Sequence, residues 1–387
     1  MMTPKRQVYL DHAATTPVHP EVFQEMRIVL ETHFGNPSSL HFYGRAVKQR
    51  LEIARERVAR LLNAEHEEIY FTSGGTEADN LAIIGTAWAL QGRGRHIITS
   101  TIEHHAVLDT CEMLSQNGFD VTFLPVDQYG MVDIDELRRA IRPDTILITI
   151  MHANNEIGTI QPIEEIGKIA KEYEILFHTD AVQTAGYLPI NVDELGVDLL
   201  SLSAHKIYGP KGAGALYVRE GTPLEPLLHG GGQERNKRPG TENIPGIVGL
   251  GKAAELAAKE HAAESRRYRR LCEKLIQGIR ERIPGTRLNG HPKKRLPHNV
   301  NVTIEGTKGE CLLTGLDQRG IAVSTGSACS SGSSQLSHVL EAIGLTPENG
   351  AGTIRMTVGR STTEGDIDYV LDNLVEVVNM LRRDNLS

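Results

Sequence analysis

The sequence of 387 residues lacks the features that mark membrane, secreted and nucleic-acid-binding proteins. No apolar run approaches the about 20 residues that a membrane-spanning helix needs. Residues 1–7 contain no apolar core of a signal peptide. The formal net charge is −8, so the chain carries no general basic footprint for nucleic acid. We therefore expect a cytoplasmic protein with no membrane partner and no direct nucleic-acid partner.

Cysteine is also scarce, with four residues spread widely along the chain and no CxxC pair. This spacing argues against a zinc knuckle or a redox pair, and it fits a reducing compartment. Cys111, Cys272 and Cys311 fall in helical contexts, where cysteine usually acts as a small apolar filler. We therefore predict no metal site belonging to the chain itself.

A Gly-Gly turn at residues 74–75 joins a strand to a helix, but neither a Walker A lysine nor a GxGxxG sequence follows it. This counts against nucleoside triphosphates and dinucleotides. The glycines still let the backbone approach a ligand, and the helix N-terminus attracts anions. Thr76 adds a hydroxyl group. By itself the turn is interpreted equally well as a phosphate site or as an ordinary helix start with Thr76 as the N-cap.

Strands and amphipathic helices alternate along most of the chain up to residue 218. This alternation predicts an α/β fold with a mostly parallel sheet, and ligands at the carboxyl ends of its strands. Residues 229–243 are Gly-rich and charged, which predicts a functional or interface loop. A long helix, predicted to bend, then leads into a smaller α+β part. We expect a large domain at residues 16–260 and a small domain formed by residues 1–15 and 261–387.

Polar residues follow two neighbouring apolar strands, which we predict to end at residues 177 and 202. The first delivers Asp180 and Gln183, and the second delivers Ser203, His205 and Lys206. Pyridoxal phosphate needs a lysine amine for its Schiff base and a carboxylate at its ring nitrogen. Taken singly, Asp180 is better interpreted as a helix cap and Lys206 as a surface lysine. Together with the Gly-Gly turn, the pair favours the cofactor.

The same interpretation gives tasks to other polar side chains. Asn155 and Gln183 can reach the phenolic oxygen of the ring, while Ser203 and His205 can help to bind the phosphate. His104 opens a helix after a strand, where an imidazole can stack on the ring and move protons. His105 competes for that task, and a cap or surface role is equally open for either histidine. Arg355 in a late strand suits a substrate carboxylate or a structural ion pair.

Cys329 differs from the other cysteines because it lies in a Ser- and Gly-rich stretch, residues 324–334. No apolar residue larger than alanine anchors this stretch, so we expect an exposed, mobile loop that suits a reactive thiolate. A surface loop with an incidental thiol remains the alternative at this point.

Several segments together resemble the cysteine desulfurases, specifically the NifS/IscS-like group (class I) of the class V aminotransferase family. They occur in the family's order across nearly the whole chain, and they are Gly74-Gly75-Thr76-Glu77-Ala78-Asp79-Asn80, Asn154-Asn155-Glu156-Ile157-Gly158, His178-Thr179-Asp180-Ala181-Val182-Gln183, Ser203-Ala204-His205-Lys206, Gly240-Thr241-Glu242-Asn243 and Gly326-Ser327-Ala328-Cys329. The resemblance implies a pyridoxal-phosphate-dependent transferase of fold type I, with a seven-stranded, mostly parallel sheet and a smaller α+β domain. It also implies a homodimer.

The resemblance further implies a role for each matching residue. Lys206 would be the Schiff-base lysine, Asp180 the partner of the ring nitrogen, and Cys329 the sulfur acceptor. His104 would stack on the ring and act with Lys206 in catalysis. The remaining assignments are Gln183 and Asn155 at the phenolic oxygen; Gly75, Thr76, Ser203 and His205 at the phosphate; Thr241 at the phosphate of the neighbouring subunit; and Arg355 and Asn36 at the substrate. Gly75 and Pro239 depart from the family, where alanine and serine are common.

The implied activity converts L-cysteine to L-alanine and leaves the sulfur as a persulfide on the enzyme. That sulfur would supply iron–sulfur cluster assembly, thio-cofactors or tRNA thiolation through a sulfur-accepting protein such as an iron–sulfur scaffold. The acceptor, a housekeeping or nitrogen-fixation role, and transient ligation of a cluster by Cys329 are left open. Two alternatives also stay open, namely another enzyme of this fold, such as an aminotransferase or selenocysteine lyase, and a catalytically silent scaffold.

Overall fold

The computed structural model describes residues 6–325 and 336–384. The strands are β1 (Val8–Tyr9), β2 (Ile69–Thr72), β3 (His96–Ser100), β4 (Asp120–Leu124), β5 (Thr145–Thr149), β6 (Leu176–Asp180), β7 (Leu199–Ser203), β8 (Gly214–Val218), β9 (Thr286–Leu288), β10 (Asn299–Ile304), β11 (Ile321–Ala322) and β12 (Thr353–Thr357). The helices are α1 (Pro20–Thr32), α2 (Phe42–Leu62), α3 (Gly75–Leu90), α4 (His105–Gln116), α5 (Ile134–Ala140), α6 (Ile163–Glu172), α7 (Val192–Leu195), α8 (Ile244–Arg282), α9 (Gly309–Asp317), α10 (His338–Ala342), α11 (Pro347–Gly350) and α12 (Glu364–Asp384).

The largest sheet has seven strands in the order β2-β8-β7-β6-β5-β3-β4. The five strands from β7 to β4 pair in parallel, whereas β8 runs antiparallel to both of its neighbours. Strands β3, β5 and β7 are buried along their whole length, as expected for parallel strands covered by helices on both faces. The prediction of a seven-stranded, mostly parallel sheet is therefore confirmed.

Strand β6 runs on to Asp180, three residues beyond the end expected from the sequence. Its polar residues stay in the buried sheet because neighbouring strands satisfy their hydrogen bonds. The His178 ring lies 2.8 Å from Thr149 Oγ1 and 3.0 Å from Ser201 Oγ, and the Thr179 hydroxyl donates to Ile150 O at 2.7 Å. The strand therefore places Asp180 directly at the carboxyl edge of the sheet.

Helix α8 is 39 residues long and contributes to two separate apolar clusters. Its Ile247 and Leu250 pack with the helices and strands of the seven-stranded sheet. Its Leu271 and Leu275 pack instead with a second cluster, which includes β10, β12, α12 and the N-terminal residue Val8. Strand β1 also pairs in parallel with β11, far along the chain. The boundaries expected at residues 16 and 260 stay a prediction.

The loop at residues 229–243 is attached to helix α2 by a buried ion pair and to strand β2 by a hydrogen bond. Both nitrogens at the tip of the Arg55 guanidinium donate to the Glu234 carboxylate at 2.8 Å, and the side chains are only 3% and 2% exposed. Glu234 also accepts the Phe71 N–H of β2 at 2.9 Å. Such a pair contributes little net stability, but loss of one partner leaves a buried charge uncompensated.

Among the described residues, no helix is both long enough and apolar enough to cross a membrane.

We expect Glu234→Ala to lower the free energy of unfolding by about 3–5 kcal/mol, because Arg55 and the Phe71 N–H would lose their buried partner. Urea unfolding followed by circular dichroism measures this change. Glu172→Ala is the matched control, since it removes an exposed ion pair with Arg138 that is worth at most about 1 kcal/mol. Equal stabilities for the two variants would contradict the assignment of Glu234 as a buried anchor.

Candidate active site

A cavity of about 650 Å³ opens at the carboxyl edge of the large sheet, where ligands are expected in such folds. Ten residues singled out from the sequence line it, namely Gly75, Thr76, His104, Asn155, Asp180, Gln183, Ser203, His205, Lys206 and Arg355. They come from separate strands, helices and loops that only the folded chain brings together. The geometry thus places these ten residues at one cavity, while their individual roles stay predictions.

Three residues singled out from the sequence are not at this cavity. Thr241 and Asn36 are both exposed and do not line it. The Asn36 side chain instead accepts the Ser38 N–H at 2.9 Å and closes a local turn. Cys329 falls within residues 326–335, which are outside the described part of the chain. A task for Thr241 in a neighbouring subunit therefore stays a prediction, as does a substrate contact of Asn36.

Asp180 ends β6 as a buried carboxyl group at the wall of the cavity. One of its oxygens accepts the Val182 N–H at 2.8 Å. Burial raises the pKa of Asp180, and nearby His104, the Val182 hydrogen bond and Lys206 oppose this rise. A protonated ring nitrogen placed here would add a further cationic partner and favour the ionised carboxylate.

Two more carboxyl groups, which the sequence analysis missed, are buried around Asp180. Both Glu103 oxygens lie within 3.0 Å of the Met151 N–H, and the Ser100 hydroxyl donates to one of them at 2.5 Å. Burial raises the pKa of Glu103 to about 8, with a smaller contribution from Asp180. Burial and Asp180 also raise the pKa of Asp79. An acid at the end of the buried strand β3, directly before His104, was the signal available in the sequence.

Asp79 lies 3.7 Å from His178 Nε2, but the two side chains do not form an ion pair. Burial lowers the pKa of His178 to about 3, so its ring is neutral near pH 7. The carboxyl group of Asp79 has a raised pKa for the same reason. Burial therefore favours the uncharged form of each group in this layer beneath the cavity.

Lys206 lies in a single 3₁₀ turn, Ala204–Lys206, directly after β7. Its ammonium group donates to Ala13 O at 2.5 Å and to Ala14 O at 2.8 Å. The Gln183 amide also donates to Ala13 O, at 3.0 Å. The segment that begins at Asp11 therefore forms one wall of the site, a role that the sequence analysis did not foresee.

His104 is the N-cap of α4, and its Nδ1 accepts the Ala106 N–H at 3.1 Å. Because Nδ1 accepts, the proton of the neutral ring is on Nε2. Burial lowers the pKa of His104, although Asp180 raises it. His105 also borders the cavity, but it is exposed and lies 3.2 Å from Asp109. His104 is thus the better candidate for the ring-stacking task, and it also has the capping role considered from the sequence.

The Gly-Gly turn starts α3 at Gly75, with Gly74 as its N-cap. The interpretation of Thr76 as the N-cap is wrong, because Thr76 is the second helical residue. A methyl group at Gly75 would lie 2.7 Å from a methyl of Val182, so the missing side chain leaves room for close packing. The first helical N–H groups have no partner within the helix and form an anion-binding terminus.

Two polar side chains from the Lys206 segment face the same region. Ser203 is buried at the end of β7, and His205 Nδ1 lies 3.1 Å from Thr15 Oγ1. Burial lowers the pKa of His205 to about 4, with further lowering by Lys206 and Lys211. At pH 7 this imidazole is therefore neutral and can serve as a hydrogen-bond donor rather than as a cation.

Arg355 lies in β12 and is 2% exposed. Its guanidinium donates to Asp11 Oδ1 at 2.8 Å and to Asn155 O at 3.1 Å, while its Nε has no partner among the described residues. The structural ion pair considered from the sequence is thus present. Arg355 nevertheless borders the cavity, where its positive charge can attract a substrate carboxylate.

This donor set fits pyridoxal phosphate. A lysine amine, a buried carboxylate and a helix N-terminus with no side chain at its first residue lie around one cavity. They match the aldehyde, the ring nitrogen and the phosphate of that cofactor.

The family model for aminotransferase class-V matches residues 8–370. A cysteine desulfurase IscS of Dictyoglomus turgidum is 56% identical over 98% of this chain and 96% of the relative. An IscS of Methanosarcina thermophila is 57% identical over 98% and 94%. Among solved structures, a NifS-like protein has a TM-score of 0.92 at 40% identity, covering 97% of this chain and 100% of that one. SspA in complex with cysteine has a TM-score of 0.82 at 42% identity, covering 91% and 99%.

Glu103→Gln tests the buried acid. The pKa of Glu103 rises from 4.5 to about 8 on folding, so between these values the folded protein holds the extra proton and loses stability as the pH rises. We expect the wild-type stability advantage over Glu103→Gln to fall between pH 5 and pH 8, by up to roughly 1.4 kcal/mol per pH unit. Urea unfolding at each pH measures it. The exposed Glu112→Gln is the control, and a wild-type profile parallel to that of Glu103→Gln would refute the shift.

Proposed function

We propose, from the premise that this chain belongs to the class-V aminotransferase family, that it converts L-cysteine to L-alanine and transfers the sulfur to its own Cys329. The chain is a pyridoxal-phosphate-dependent enzyme, a cysteine desulfurase by its activity. One observation carries the proposal, namely that Lys206, Asp180 and Arg355 border the same cavity as the end of the segment that holds Cys329.

The cofactor would be held by side chains that already make defined contacts. Lys206 would hold it covalently, and Asp180 would take the ring nitrogen. Gln183 and Asn155 would contact the phenolic oxygen. The phosphate would be bound by the N-terminus of α3 at Gly75 and Thr76, with Ser203 and His205. Bound pyridoxal phosphate supplies an electron sink for the electron pair left at the substrate Cα.

The chain supplies the groups that move protons and orient the substrate. Arg355 attracts the carboxylate of L-cysteine, and Asp11 with Asn155 O holds its guanidinium in place. Lys206 Nζ and His104 are the two candidates for the base that removes the Cα proton. His104 has its Nδ1 engaged by the Ala106 N–H, so Nε2 is the atom through which it would act.

Sulfur transfer belongs to Cys329 in this proposal. Its thiolate attacks the substrate sulfur, a new S–S bond forms, and the Cβ–S bond breaks with its electron pair going to carbon. Protons then complete the methyl group of alanine, and the sulfur stays on the enzyme as a persulfide. No external oxidant is needed, because the substrate carbon is reduced as the sulfur is taken up.

Chain geometry supports a reach from Cys329 to the cavity. The Ser324 backbone pairs with that of Arg355, with N···O distances of 3.0 and 2.6 Å. On the other side, Leu336 and Ser337 border the cavity, and the Ser337 hydroxyl donates to Glu156 at 2.7 Å. Cys329 is four residues from Thr325 and seven from Leu336, spans of at most about 14 and 25 Å. The described residues on both sides of the Cys329 segment therefore lie at or beside the site.

The wider role is also part of the proposal. A second copy of the chain would contribute Thr241 to the phosphate site, consistent with the exposure of this residue. The persulfide would pass to a sulfur-accepting protein, such as an iron–sulfur scaffold, in a reducing cytoplasm. The names of the IscS relatives support this class of acceptor without identifying it.

Lys206→Ala tests the cofactor assignment. We expect the purified variant to lack the visible absorbance band of the bound cofactor and to lose at least about a hundredfold in alanine formation, because both the covalent anchor and a candidate base are gone. Absorbance spectra and alanine assays measure this. The exposed Lys211→Ala is the matched control and should keep both properties. A normal band in the Lys206 variant would refute the assignment.

Cys329→Ala tests the reaction. The variant should keep the cofactor spectrum but form no protein persulfide from L-cysteine, because the proposed sulfur acceptor is missing. Mass spectrometry of the intact protein measures the added sulfur. Cys311→Ala removes an exposed cysteine outside the Cys329 segment and should behave as the wild type. Normal persulfide formation in the Cys329 variant would refute the proposed role of Cys329. If the wild-type enzyme released alanine preferentially from selenocysteine, a selenocysteine lyase would be favoured instead.

A further inference from the structure

The charged loop at residues 229–243 contacts strand β2, which leads into the Gly-Gly turn where the phosphate is proposed to bind. Glu234 is bound by Arg55 and by the Phe71 N–H, and Arg235 donates to Ile69 O at 2.6 Å. Glu234, Arg235 and Asn236 all have left-handed backbone angles, with φ of 43°, 51° and 64°. Such strain persists only where the surroundings hold it. The buried ion pair and these strand contacts therefore fix the loop relative to β2.

The same loop also contacts the other side of the turn, through Arg238. Its guanidinium Nε donates to Glu77 Oε1 at 2.8 Å, and Glu77 Oε2 accepts the Ser73 N–H at 2.9 Å. Both charged side chains are partly buried, at 24% and 22% exposed. Burial opposes ionisation of Glu77, but the hydrogen bonds from Arg238 and Ser73 lower its pKa, so the carboxylate is charged. The pair thus lies across the turn that starts α3.

Glu77 is an unfavourable neighbour for a phosphate. It follows Thr76 directly and lies in the first turn of α3, where its negative charge draws on the same positive potential that a phosphate would use. A carboxylate and a phosphate dianion at one helix N-terminus repel each other. Arg238 places a guanidinium on this carboxylate and offsets its charge while Glu77 still shapes the turn through Ser73.

We propose that Arg238 is a positioning residue for the cofactor, which neutralises Glu77 beside the phosphate turn and so sets how tightly the phosphate is held. The inference rests on the proposed function, because it takes the phosphate to bind at the N-terminus of α3. It gives the loop a task within its own subunit, separate from the one expected for Thr241.

A double-mutant cycle on the full-length protein tests this charge balance. Apoprotein is titrated with pyridoxal phosphate, and the dissociation constant is read from the visible absorbance and from protein fluorescence. We expect Arg238→Gln to weaken binding about tenfold, because the Glu77 charge is then uncompensated. Glu77→Gln should bind at least as tightly as the wild type, since the amide can still accept the Ser73 N–H. The double variant should return to within about threefold of the wild type.

Arg238→Lys keeps the charge and should stay within about threefold of the wild type, and thermal unfolding checks that each variant is folded. The deficit of Arg238→Gln should also shrink as salt is added, because it is electrostatic. A double variant as weak as Arg238→Gln, or an unchanged affinity of Arg238→Gln, would overturn the inference. Wild-type apoprotein that fails to bind pyridoxal phosphate would instead refute the proposed function, so the two failures are distinguishable.

Discussion

The site depends on keeping one negative charge at Asp180 in a place where burial favours its protonation. The carboxyl group lies at the end of a central strand, beneath the cavity. Among the described residues, His104, the Val182 N–H and Lys206 oppose the rise that burial causes in its pKa. Two neighbouring acids would compete for the same cationic partner if they were ionised. Burial raises the pKa of both Asp79 and Glu103, which favours their protonated forms, so Asp180 can be the ionised carboxylate of the three. A cationic ring nitrogen, as proposed for the bound cofactor, would favour the ionised form of this carboxyl group.

The N-terminal segment connects this charge to the substrate end of the cavity. The carbonyls of Ala13 and Ala14 hold the Lys206 ammonium, while Asp11 pairs with the Arg355 guanidinium. The Asp11 backbone also forms a β-bridge with Thr357 of β12. The apolar residues of β12 pack in the second apolar cluster, and this strand is not part of the large sheet. A short stretch of chain therefore fixes the distance between the lysine and the arginine. Arg355 lies on the same strand as Thr357, so the Asp11–Arg355 contact stays with β12, whereas the contacts of Lys206 with Ala13 and Ala14 connect this segment to the large sheet.

The parallel core and the convergence of most predicted site residues at one cavity were predictable because their signals are local. The polar residues predicted to follow two neighbouring strands meet at one sheet edge. The prediction ended β6 at residue 177, three residues too early. The cause in β6 is physical, because His178 finds hydrogen-bond partners on two other strands that its own sequence neighbourhood does not reveal. The wall formed by Ala13 and Ala14 was unpredictable for the same reason.

Hydrogen bonds between residues that are distant in the sequence also explain why the site contains polar groups that no sequence motif predicted. Glu103 is held by Met151, which follows strand β5, and its main-chain oxygen lies 3.0 Å from His338 Nε2, at the start of α10. Glu156 is likewise bound by Ser337. Glu103 directly precedes His104 and Glu156 directly follows Asn155, so Ser337 and His338 are attached beside two residues that line the cavity. Ser337 and His338 are therefore attached to the cavity wall by contacts with Glu156 and Glu103 rather than by the Cys329 motif itself.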